Sequence, residues 1–137
     1  MKALLKEFNE FFDRYLTTWN SCSIDELSAM FSKELVICYA YPNNRVTLGT
    51  LDDACESWKN QYDYYRDRNP KWHFNIVQVT PVDEDKVMAI FWVSHSSDNI
   101  LYDKVCMYVE TFAKNNGNWS LLRSYSEIAI PMKYVFE

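Results

Sequence analysis

At 137 residues and a net charge of −5, the chain suits one domain able to bury roughly two-thirds of its unfolded surface. Its 5 Trp, 10 Tyr and 8 Phe stand against 2 Gly, where average usage of about 7% would supply roughly nine or ten. With only Gly49 and Gly117, neither a GxGxxG fingerprint nor a Walker-type phosphate loop can be written, and the acidic balance argues against a nucleic-acid partner, which needs clustered Lys and Arg.

Residues 2–20 set Leu4, Leu5, Phe8, Phe11, Phe12, Tyr15, Leu16 and Trp19 at helical spacing, an amphipathic helix with a wide aromatic face. Ser23-Ile24-Asp25-Glu26 is a capping box that opens a short second helix burying Leu27, Met30 and Phe31. The branched and aromatic run 35–41 reads as a buried strand, turned by Pro42-Asn43-Asn44, with residues 45–48 as a short return strand. Gly49 precedes Thr50, a cap for a third helix. One face of that helix carries Leu51, Ala54, Cys55, Trp58, Tyr62 and Tyr65, and Arg66, Asn69 and Pro70 stop it. Residues 71–80 and 86–96 are alternating strands, 101–114 and 119–130 the last long hairpin, and 131–137 a tail. Helices gathered early and antiparallel strands late give an α+β fold, a single domain over 1–137 with its sheet covered on one side.

The hairpin is the most informative stretch. Asn116-Gly117 between alternating strands signals a two-residue type I′ turn, because that turn needs φ > 0 at both positions. Such a turn pairs Asn115 with Asn118, Lys114 with Trp119, Phe112 with Leu121, Glu110 with Arg123, Tyr108 with Tyr125 and Cys106 with Glu127, all on one face. A one-residue bulge would exchange the faces beyond it.

Cys22, Cys38, Cys55 and Cys106 lack CxxC spacing and a neighbouring His, so no metal site is expected, and they read as apolar fillers in a reducing cytosol. No apolar run approaches the length of a membrane span, and Lys6 and Glu7 interrupt any signal-peptide core. A cytoplasmic protein with no membrane association and no cofactor is expected.

Gly117-Asn118-Trp119-Ser120-Leu121-Leu122-Arg123-Ser124-Tyr125 resembles the terminal "Gly-x-Trp-x-Ile" strand of the nuclear-transport-factor-2-like superfamily, which includes polyketide-cyclase-like and ketosteroid-isomerase-like proteins. Trp19 near the end of helix one, the short helix at 25–31 and Gly49 before the third helix resemble the same pattern, so the likeness covers nearly the whole chain. It implies a cone-shaped, curved antiparallel sheet wrapped on three helices of the N-terminal half, the α+β barrel of that superfamily. It also implies a pocket between the concave sheet face and the helices, and homodimers. The isomerase-like members pair a helix-one tyrosine with pocket acids. Tyr15 matches the tyrosine, whereas the late strands offer Glu110 and Glu127 and no inward Asp. The His and Asp of dehydratase-like members have no counterpart on one register, and Arg123 and Tyr125 occupy last-strand positions often held by His.

In the unbulged register the pocket wall is Trp119, Leu121, Arg123, Tyr125 and Glu127, with Glu110, Tyr108 and Cys106 beside them. Phe91 and His95 share the neighbouring strand, and Tyr15, Trp19, Tyr39 and Trp58 close the pocket from the helices and the first strand. An aromatic wall with a few polar heads suits a small, partly apolar ligand, anionic if Arg123 meets it. Glu110 and Arg123 read as a substrate clamp or as a cross-strand ion pair that closes the sheet. Glu127 reads as a general base in an apolar cavity or as an acid at a wet mouth. The tyrosines are oxyanion donors or core residues with satisfied hydroxyls. His95 is an acid–base group or a loop histidine. The opposite face (Val105, Met107, Val109, Leu122, Ser124, Ser126, Ile128, Met88, Ile90, Trp92) is too apolar for water, and a homodimer through this outer face follows. Three functions stay open: a small-molecule-binding domain, an isomerase- or dehydratase-type enzyme with Glu127 or Glu110 as base, and a non-catalytic dimerisation module.

Overall fold

The computed structural model describes residues 1–136. Helix α1 (Lys2–Trp19) buries Phe8, Phe11, Phe12, Tyr15, Leu16 and Trp19, the aromatic stripe read from its spacing. In α2 (Ile24–Ser28) the Ser23 hydroxyl accepts from the Glu26 N–H at 3.2 Å, satisfying one orphan amide at the helix start. This helix is shorter than expected. Phe31 belongs to β1 (Phe31–Ala40), because the Leu121 N–H donates to the Met30 carbonyl at 2.8 Å and draws the chain into the sheet. Strand β2 (Val46–Thr50) returns antiparallel. Helix α3 (Leu51–Tyr65) then starts with the Asp53 carboxylate accepting from the Thr50 N–H at 2.8 Å.

The remaining strands are β3 (Lys71–Asp83), β4 (Lys86–Ser97), β5 (Ile100–Leu101), β6 (Lys104–Asn115) and β7 (Asn118–Pro131). The run expected as one strand from Leu101 is therefore divided. Asp98 and Asn99 take positive φ and turn β5 back onto the end of β4, and only then does β6 begin. The seven strands form one curved, unclosed sheet in the order β2-β1-β7-β6-β4-β3, with β5 paired to β4. Every pairing is antiparallel except β1 with β7. The result is the α+β cone expected from the sequence.

Asn116 (φ 51°) and Gly117 (φ 80°) make the expected turn, and the pairs Asn115–Asn118, Lys114–Trp119, Ala113–Ser120 and Phe112–Leu121 follow it. The register then shifts by one residue at Leu122. Thr111 faces Arg123, Glu110 faces Ser124, Val109 faces Tyr125, Tyr108 faces Ser126 and Met107 faces Glu127. A bulge of this kind inverts the side chains beyond it, here as far as a second shift between Val105 and Met107, where Val105 faces Ile130. Ser124 and Ser126 therefore turn inward, and Arg123, Tyr125 and Glu127 turn to the outer face. The expected pairs Glu110–Arg123, Tyr108–Tyr125 and Cys106–Glu127 do not form.

Packing inside the cone explains the inversion. The narrow end is filled by rings: Phe8 lies 5.3 Å from Phe12, from Phe112 and from Trp119. Trp19 lies 4.7 Å from Trp58 and 5.2 Å from Phe74 and from Tyr108. Lys114 Nζ meets Glu7 Oε1 at 2.7 Å, and Trp119 Nε1 donates to the same carboxylate at 3.2 Å, closing that end. Little room is left opposite Glu110 and Tyr108, and β7 presents serines there. Trp119, Leu121, Trp58 and Phe91, expected in a pocket wall, are core residues that fill the space instead.

Candidate functional site

Two features occupy the concave side of the sheet. The first is a buried acid–phenol pair. Tyr15 on α1 donates its hydroxyl to Glu110 Oε1 at 2.7 Å, and Glu110 is only 2% exposed. Burial pushes the Glu110 carboxyl up to about 7, against the opposing pull of Ser124 and Tyr15. Burial, and then the charge of Glu110, pushes the Tyr15 phenol well above its ordinary value. The pair joins the helix-one tyrosine to a strand acid, and Arg123 takes no part in it.

The second feature is a cavity of about 390 Å³ at the wide end of the cone, between α3 and strands β3, β4, β6 and β7. Gln61 and Tyr65 of α3, Trp72 and His95 of the sheet, and Cys106 and Tyr108 of β6 line it. The His95 ring lies 4.4 Å from Tyr65, 4.7 Å from Trp72 and 4.9 Å from Tyr102, centroid to centroid. Its Nε2 is 3.1 Å from Ser97 Oγ. Burial, with His73 nearby, pulls the imidazole down to about 4, so it stays neutral at physiological pH. Among the lining side chains, the buried His95 Nδ1 has no hydrogen-bond partner. Buried polar groups are normally satisfied, so this nitrogen is an exception in the packed ring cluster behind the cavity wall.

Of the residues singled out in the sequence, His95, Cys106 and Tyr108 line this cavity. Glu110 does not line it, and Tyr108, two residues along the same face, stands between. Tyr39 belongs to a different cleft of about 530 Å³ between the β1–β2 hairpin and α3. Arg123 and Tyr125 line a groove of about 450 Å³ on the outer face. Tyr125 donates a short hydrogen bond to Glu127 there. The clamp and the general base expected from Arg123 and Glu127 are therefore placed on the wrong side of the sheet by the Leu122 bulge. Tyr65, Trp72, Tyr102 and Lys104 were missed. Tyr65 was visible as the last aromatic of the α3 face, whereas Tyr102 was hidden in a strand that the structure breaks at that point.

Among the described residues no group of His, Cys, Asp and Glu could hold a metal ion, and the four cysteines are free thiols. No helix among them is long and apolar enough to cross a membrane.

No protein-family model and no curated protein sequence matches the chain. Solved structures do match in fold. Aln2 from a Streptomyces species superposes with a TM-score of 0.74 at 14% identity, over 93% of this chain and 92% of that one. An NTF2-like protein from Shewanella oneidensis superposes at 0.71 and 11% identity, over 90% and 98%. A ketosteroid isomerase-like protein from Erwinia carotovora atroseptica superposes at 0.58 and 14% identity, over 85% and 89%. The chain has the nuclear-transport-factor-2-like fold.

Proposed function

We propose that the protein is a small-molecule-binding domain whose site is the cavity between α3 and the sheet. The observation that carries this reading is an aromatic-walled hollow of about 390 Å³ lined also by Gln61, His95 and Lys104. Small-molecule sites have that size and that mixture of ring surface with a few polar heads. The probe is 2-acetylnaphthalene, a flat neutral ketone, titrated calorimetrically, with native mass spectrometry of freshly purified protein reporting any co-purified molecule. Cys106→Phe adds a ring to the lining and is expected to abolish ketone binding while the circular dichroism spectrum stays native. Equal affinity in the variant, or no binding of either the ketone or its carboxylate isostere 2-naphthoate to wild type, would remove the cavity as a ligand site.

A proton-transfer enzyme of the isomerase type is the second reading, favoured by the near-neutral titration of Glu110 beside Tyr15. It requires Tyr108 to move so that substrate reaches the carboxyl. Arg123 and Glu127 have no part in it.

We also propose a homodimer through the outer sheet face. Val36 is 52% and Tyr125 39% exposed there, beside half-buried Met88 and Val109. Arg123 and Glu127 on the same face provide charges of both signs for a self-complementary patch. Val36→Asp lies on the surface and is expected to convert a dimer into a monomer by sedimentation equilibrium. A wild-type protein that sediments as a monomer would contradict the dimer.

A further inference from the structure

The cavity lining also restricts the chemistry of the ligand, given the reading that the cavity is a ligand site. The chain carries 19 Asp and Glu, yet no carboxylate lines the cavity, and its one charged lining residue is Lys104. Lys104 is exposed and enters no ion pair among the described residues.

Neutral polar groups of the lining are bonded to one another through Ser97. Tyr102 Oη donates to Ser97 Oγ at 3.4 Å, and that oxygen lies 3.1 Å from His95 Nε2. The rings of Tyr65 and Trp72 flank His95, and flat faces of this kind pack best against another flat ring.

We infer that the cavity takes an aromatic anion: a planar ring system carrying one carboxylate, its ring among Tyr65, Trp72 and Tyr108 and its charge met by Lys104. Aromatic faces also attract cations, but a cation here would find no carboxylate and would meet Lys104. The anion expected from Arg123 is thus reassigned to a different strand and a different cation.

Calorimetry on the full chain at low salt tests this with three isosteres: 2-naphthoate, neutral 2-acetylnaphthalene and 2-naphthylmethylammonium. Naphthoate is expected to bind tightest and the ammonium weakest. Lys104→Met, a surface change, is expected to weaken naphthoate about fivefold while leaving the ketone unchanged, and added salt is expected to narrow that difference. If ketone or ammonium binds as tightly as naphthoate, or Lys104→Met leaves naphthoate unchanged, the anion is overturned and the cavity stands as a ligand site. If none of the three binds, both readings fall.

Discussion

The protein is expected to lose about 3 kcal/mol of stability as pH rises from 4.5 to about 7, and to lose none of that amount when Glu110 is replaced by Gln. Glu110 is buried, and its carboxyl is raised from 4.5 to about 7 in the folded state. Between those values the folded protein holds a proton that the unfolded chain has released, so unfolding becomes easier as pH climbs. The stabilisation is complete below pH 4.5, is lost through the window, and is absent above about 7. At about 1.4 kcal/mol per pH unit the full difference is on the order of 3 kcal/mol. Glu110→Gln retains an oxygen to accept from Tyr15 and has no proton to release. Subtracting its urea-denaturation profile from that of the wild type removes other acids such as Asp83, which is held down at about 2 by hydrogen bonds from Asp85 and Lys86. A wild-type-minus-variant difference that is flat, or that rises with pH, would mean that Glu110 is ionised and solvated.

Trp19→Ala is expected to cost about 3–5 kcal/mol, the range for deleting a buried large aromatic. Trp19 is essentially unexposed and touches rings from α3, β3, β4 and β6: Trp58, Phe74, Phe91 and Tyr108. It is the side chain that fills the middle of the cone, between the closed narrow end and the open cavity. Leu48→Ala, on the exposed β2 strand, is expected to stay within about 0.5 kcal/mol. Denaturant midpoints with an unchanged slope measure both. A loss under about 1.5 kcal/mol for Trp19→Ala would mean that the hollow is not packed around this ring.

Much of this architecture could be read from residue order. The α1 stripe, the Ser23 cap, the α3 face and the Asn116-Gly117 turn each rest on local rules that tertiary contacts reinforce. The register failed at one residue because Leu121 and Leu122 are both apolar, and alternation alone cannot say which of them faces the core. The reading favoured large Tyr125 and Arg123 inside. The cone had already been filled from α1, β4 and β6 by Trp19, Phe91 and Tyr108, and only serines fit opposite them. The sequence carried a trace of this in the small residues at 124 and 126, which make sense as an inner row and are unusual for an apolar dimer face. The cavity was harder to locate, since Tyr65, Trp72 and Tyr102 come from three separate segments that only the fold brings to His95.

The Leu122 bulge decides which side chains enter the cone, and cross-strand backbone NOEs measure it directly. The account predicts contacts between Glu110 and Ser124 and between Val109 and Tyr125. Contacts pairing Glu110 with Arg123 and Tyr108 with Tyr125 would contradict it.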